Sequence, residues 1–179
     1  MAAAQQRLFK ASPKVHGGEY ARGKRKSARP IVTKRPMHLV MRAEAARGRW
    51  SFLRKENAQK IRSLVSEFGN RWQVRVYEAG NGGNHLHLLI RGKTRGGIRN
   101  FLRALSGAIA MAITGAKKGN PLSKRFWDKL VFTRIVEWGR AFEIAKNYVG
   151  SHAPFFPKKE NQNSLVAPPP IPKKPRSAG

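Results

Sequence analysis

Asn84-His85-Leu86-His87-Leu88-Leu89-Ile90-Arg91 is the stretch on which the fold turns. In an extended strand, residues i and i+2 point to the same face. Leu86, Leu88 and Ile90 therefore share one face, the face that must be buried. His85 and His87 project side by side from the other. Imidazoles so placed can hold a divalent metal ion. Two half-exposed histidines on a sheet surface are the plain alternative, and the pair alone does not decide between them.

The neighbours of this strand supply its partners. Trp72 to Glu78 alternates and reads as a strand, joined to Asn84–Arg91 through the Gly/Asn-rich turn Ala79-Gly80-Asn81-Gly82-Gly83. Upstream, Met37-His38-Leu39-Val40-Met41-Arg42 alternates with Met37, Leu39 and Met41 inward and His38, Val40 and Arg42 outward. Ile61, Leu64, Val65 and Phe68 recur at helical steps from Lys55 to Phe68, and Gly69-Asn70 is read as the stop. Thr94 to Ile113 carries the apolar stripe Ile98, Phe101, Leu102, Leu105, Ile109 and Ile113. Leu130 to Glu137 reads as a fourth strand, and a third helix runs from about Gly139 to His152 with Phe142, Ala145 and Val149 as its packing stripe.

The order strand–helix–strand–strand–helix–strand is the split βαβ arrangement of ferredoxin-like folds. The expected class is α+β, with a four-stranded antiparallel sheet covered on one face by two helices and an added C-terminal helix. If Leu86, Leu88 and Ile90 lie under those helices, His85 and His87 emerge on the open face, where only the last helix is left to meet them. Three segments are expected: a flexible basic tail over residues 1–35, one domain over 36–152, and a Pro/Lys-rich tail over 153–179.

Composition points to the partner. The 179 residues hold 37 Lys and Arg against 9 Asp and Glu, for a net charge of +28. Such an excess implies a polyanion, and nucleic acid is the default. There is no cysteine, which excludes disulfides, thiolate catalysis and cysteine-bearing zinc sites. The apolar run Ala104–Ala116 is too short to span a bilayer, and no secretory signal pattern opens the chain, so a cytoplasmic protein is expected. Acids do not cluster as a carboxylate-bound two-metal nuclease requires.

The last helix brings the remaining chemistry. Tyr148 and His152 are four residues apart and share a helix face. A tyrosine hydroxyl beside a metal ion can attack a phosphodiester. His152 would complete the ion's protein ligands with His85 and His87. For Tyr148 alone, an ordinary packed aromatic is the competing reading. Arg95, Arg99 and Arg103 form a four-residue rail that suits phosphates or simply solvent. Arg42 and Arg134 are expected on the open face as phosphate contacts or surface charge. His38 reads as a strand residue or an outer partner of the site, the former favoured. Trp50, Phe52 and Trp138 can stack on unpaired bases, though core packing is expected of each.

The chain resembles the single-tyrosine HUH transposases of single-stranded insertion sequences, most of all the REP-associated tyrosine transposases. The resemblance rests on Asn84-His85-Leu86-His87-Leu88-Leu89, Phe126-Trp127-Asp128, Phe132-Thr133-Arg134-Ile135-Val136 and Phe142 through Tyr148. It implies that His85 and His87 bind a divalent ion, Mg2+ or Mn2+. It implies that Tyr148 cleaves single-stranded or hairpin DNA through a 5′-phosphotyrosine link and frees a 3′-hydroxyl. His152 stands where such proteins usually carry Gln or Asn as a further ligand. Relatives often have Met-Pro ahead of Asn-His; the Gly82-Gly83 found here is expected to alter only the turn. Such proteins act as monomers or homodimers. The rival is a non-catalytic basic DNA- or RNA-binding protein on the same fold.

Overall fold

Residues 15–23, 27–117 and 119–154 are described in a computed structural model of the chain. The alternating stretches form β2 (Met37–Arg42), β3 (Val74–Asn81), β4 (His85–Gly92) and β5 (Phe132–Ile135). The periodic stretches form α1 (Lys55–Arg71), α2 (Arg95–Thr114) and α3 (Arg140–Gly150). Two-residue strands, β1 (Val15–His16) and β6 (Ala153–Pro154), lengthen the expected four-stranded sheet at its edges. The order is β1-β5-β2-β4-β3-β6, with every neighbouring pair antiparallel. Its central β5-β2-β4-β3 is the ferredoxin-like arrangement.

α1 and α2 cover one face. Met37, Leu39, Met41, Leu86, Leu88 and Ile90 are fully buried against them. The α2 stripe enters the same core from Ile98 to Ile113. That helix starts where the Thr94 side chain accepts from the Gly97 amide at 2.9 Å, and ends at Gly115 with φ 75°. The other face carries a smaller cluster in which Leu89, Val136 and Val149 pack with Tyr77, Phe142 and Ala145. This second cluster docks α3 on the sheet.

Several expectations are corrected. α1 continues through Gly69-Asn70 to Arg71. Gly69 faces the sheet, where a Cβ would stand 3.1 Å from the Val74 carbonyl oxygen, so it permits close approach instead of stopping the helix. The chain turns afterwards at Gln73, with φ 53°. β3 runs three residues further than its pattern suggested, with a bulge between Val76 and Glu78. The bulge switches the facing of the strand, so Val76 and Ala79 both join the main core while Tyr77 packs under α3. β5 is shorter than read: Leu130 lies outside it and is mostly exposed.

The expected tail over residues 1–35 also needs revision. Val15 and His16 pair with Arg134 and Thr133 on the sheet edge. Ile31 is buried in the main core. Arg29 donates to the Val131 carbonyl at 2.7 Å and the Thr133 hydroxyl at 2.9 Å, and Arg95 donates to the Ile31 carbonyl at 3.1 Å. Isolated apolar residues between basic ones make no periodic pattern, yet each finds a place on a surface built by others. The rest of both expected tails, residues 1–14, 24–26 and 155–179, lies outside the described residues.

Candidate active site

The open-face register places the functional groups in rows. Arg42 lies opposite His85, Val40 opposite His87 and Phe132, and His38 opposite Leu89 and Arg134. α3 crosses this face next to β3 and β4, and one glycine makes the crossing possible. A Cβ on Gly80 would overlap the Val149 carbonyl oxygen and sit 2.8 Å from the His152 Cβ. The glycine read as part of a turn is thus the strand's seat for the end of α3.

His85, His87 and His152 converge. Each offers a nitrogen, and these atoms all lie within 4.8 Å of one another. Ring centroids are 5.0 Å apart for His85–His87, 5.6 Å for His85–His152 and 4.2 Å for His87–His152. His152 is not on the helix, as expected from its spacing, but in the turn after it. Ser151 keeps helical backbone angles, so the turn carries His152 back towards Tyr148, with ring centroids 5.2 Å apart.

Each imidazole is held through Nδ1. His85 Nδ1 donates to the Asn84 side-chain oxygen at 2.8 Å, and His152 Nδ1 donates to the Tyr148 carbonyl at 3.1 Å. His87 Nδ1 is hydrogen-bonded to His38 Nε2 at 3.0 Å. That leaves the three Nε2 atoms outside these hydrogen bonds, as the nitrogens that could hold a metal ion. Burial, helped by His38, His152 and His85, pulls His87 down to a pKa of about 3. Burial, with Arg134 and His152, pulls His38 down to about 4. Burial, then His152 and Arg42, lowers His85 as well. Neutral imidazoles are the ligating form, so the donor set fits a divalent ion.

Tyr148 is half exposed, with its ring 5.5 Å from His87 and 5.9 Å from His38. Beside it a cavity of about 560 Å³ opens between α3 and β5, lined by His38, His87, Phe132, Arg134 and Tyr148. A second, of about 550 Å³, continues past Phe132 to Arg42 and Lys129. Arg42 and Arg134 therefore flank the site. Arg42 is also within 3.2 Å of Glu44 and 3.7 Å of Asp128. Arg95, Arg99 and Arg103 project from α2, on the far side of the sheet from the imidazoles.

Other singled-out residues make structural contacts. Phe52 and Phe126 are buried in the core, and Trp127 donates to the Ser106 carbonyl at 2.9 Å. Asp128 accepts from the Glu44 amide at 2.9 Å, tying the loop before β5 to the end of β2. Trp138 packs on Tyr77 and Phe142 and donates to the Lys34 carbonyl. Gly82 proves more than a turn residue: a Cβ there would overlap the His85 ring, lying 2.8 Å from its Cδ2. Asn84 and His38 also touch the imidazoles, and their place in the sequence is the signal for it, one beside His85 and one on the strand paired with β4.

Fold and site together describe an antiparallel sheet whose open face gathers three imidazoles that could hold a metal ion. The sequence profile described as "Transposase IS200 like" matches residues 31–152, and the chain belongs to that family. A solved structure assigned as a transposase from Deinococcus radiodurans R1 is similar at 20% identity and a TM-score of 0.44, over 72% of this chain and 99% of that one. No curated protein matches. Among the described residues, no helix is long and apolar enough to cross a membrane.

Proposed function

We propose that the chain is a single-tyrosine HUH enzyme that cleaves and rejoins single-stranded DNA, near hairpins, through a 5′-phosphotyrosine on Tyr148. One observation carries this reading: three imidazole nitrogens within 4.8 Å of one another, with an exposed tyrosine ring 5.2–5.5 Å from two of the rings. All four side chains come from one chain. The REP-associated subtype rests on the sequence resemblance.

His85, His87 and His152 would hold the ion through Nε2, and their all-nitrogen set suits Mn2+ better than Mg2+. When bound, the ion polarises the scissile phosphate and stabilises the charge that builds on it. Arg134 and Arg42 hold the flanking phosphates, and Phe132 between them offers a face to an unpaired base. The Tyr148 oxygen attacks phosphorus and loses its proton to water. The bond from phosphorus to the upstream 3′-oxygen breaks, and that oxygen takes a proton from water as a free 3′-hydroxyl. The downstream strand stays on Tyr148 until another 3′-hydroxyl displaces it.

Hairpin oligonucleotides labelled at either end test this in the presence of Mn2+. The 3′ label is expected on the protein and the 5′ label on a released fragment. Tyr148→Phe should abolish the adduct and keep DNA binding. Undiminished adduct in that variant rules out the assignment. Salt-sensitive binding without cleavage by the wild type would leave a basic DNA-binding protein instead.

A further inference from the structure

We infer that His38 is the positioning residue of the metal centre, accepting the Nδ1 proton of His87 and so keeping the His87 Nε2 lone pair aimed at the ion. This rests on the metal-site reading above. A neutral imidazole has one proton. If His87 ligates through Nε2, that proton is on Nδ1 and needs an acceptor. The atom that meets it is His38 Nε2, at 3.0 Å. The two rings lie nearly parallel, 13° apart, with centroids 5.2 Å apart.

The other two ligands show why His38 matters. Asn84 and the Tyr148 main chain hold His85 and His152 with oxygens that only accept. His38 can accept or donate. Were it to donate, His87 would carry its proton on Nε2 and lose the ligating lone pair. His38 must therefore bear its own proton on Nδ1. Its position supports the role: β2 pairs with β4 in register, and His38 sits two residues along from Val40, the residue opposite His87, and so on the same face of the sheet. Its ring also meets the Tyr148 ring edge-on at 5.9 Å, so the same side chain backs both ligand and nucleophile.

The test compares His38→Phe, which keeps a ring but no acceptor, with His38→Gln, whose amide oxygen reaches close to the Nε2 position. Outer partners of ligating histidines typically change metal affinity about 10–100-fold. Mn2+ binding, followed by the EPR signal of the free ion, should weaken by about that factor in His38→Phe and recover in His38→Gln. A merely structural role would instead lower the thermal midpoint of the metal-free protein, with no difference in Mn2+ affinity between the two variants. Equal affinity in wild type and His38→Phe overturns the inference and leaves the metal site standing. A wild type that binds no Mn2+ overturns both. In the wild type loaded with Zn2+ as a diamagnetic probe, ¹⁵N NMR should find His87 protonated on Nδ1; a bare Nδ1 overturns the inference without any variant.

Discussion

Gly80→Ala tests whether the seat of α3 sets the chemistry. The new methyl would stand 2.8 Å from the His152 Cβ and 3.3 Å from the Val149 carbonyl carbon. Carbon atoms rest at about 3.5–4.0 Å, so relief needs a shift of about 1 Å. Val149, fully buried, anchors the helix end with about 1.5–3 kcal/mol, so the strain is shared between sheet and helix. Overpacking of this kind costs about 1–3 kcal/mol of stability. A 1 Å misplacement of reacting groups costs about 10²-fold in rate. Both Tyr148 and His152 ride on the displaced segment. The rate of Tyr148–DNA adduct formation should fall about 100-fold, with weaker Mn2+ binding, while affinity for single-stranded DNA stays close to wild type. Gly107→Ala on α2, where a Cβ meets nothing within 4 Å, is the matched control. It should gain about 0.5–1 kcal/mol and keep full activity. Wild-type adduct rate and metal affinity in Gly80→Ala would show that α3 does not dock as described.

Gly82→Ala puts a methyl onto the His85 ring and should weaken Mn2+ binding with little change in the thermal midpoint of the metal-free protein; isothermal titration checks it. Stability should depend on pH through the depressed histidines. His87 at about 3 and His38 at about 4 bind fewer protons folded than unfolded, where histidine titrates near 6.5. Stability is therefore full above about pH 7 and falls as pH drops through 6.5 towards 4, by up to about 1.4 kcal/mol per pH unit for each such group. Urea midpoints of the metal-free protein at pH 7.5 and 5 measure it, and His38→Gln combined with His87→Gln should flatten the difference. Arg134→Ala should weaken single-stranded DNA binding and reduce its salt dependence by about one phosphate contact. Arg99→Ala, across the sheet, should affect adduct formation far less.

Much of this was legible because burial leaves a periodic trace. The alternation of β2 and β4 put Leu86, Leu88 and Ile90 inward and the imidazoles outward, and all six residues of the α2 stripe are buried. What escaped notice lacks period. The bulge in β3 adds one residue to a strand whose apolar pattern looks continuous, so Glu78 leaves the core face and Ala79 takes it unannounced. Gly69, Gly80 and Gly82 resemble punctuation in sequence, yet two admit neighbouring backbone and one admits the His85 ring. Val15 and Ile31 sit among charges and join structure only because other elements already built the surface they cover. His38 fits its strand so well that the strand accounts for it; its hydrogen bond to His87 appears only when β2 and β4 are placed side by side.

In the proposed site His85, His87 and His152 grip one ion through Nε2 beside the Tyr148 hydroxyl. An anomalous difference map from crystals grown with Mn2+ reads this directly. A single strong peak bonded to those three nitrogens is expected, with the Tyr148 side chain turned to it. A peak elsewhere, a peak missing any of the three, or a Tyr148 ring facing away from the ion would contradict it.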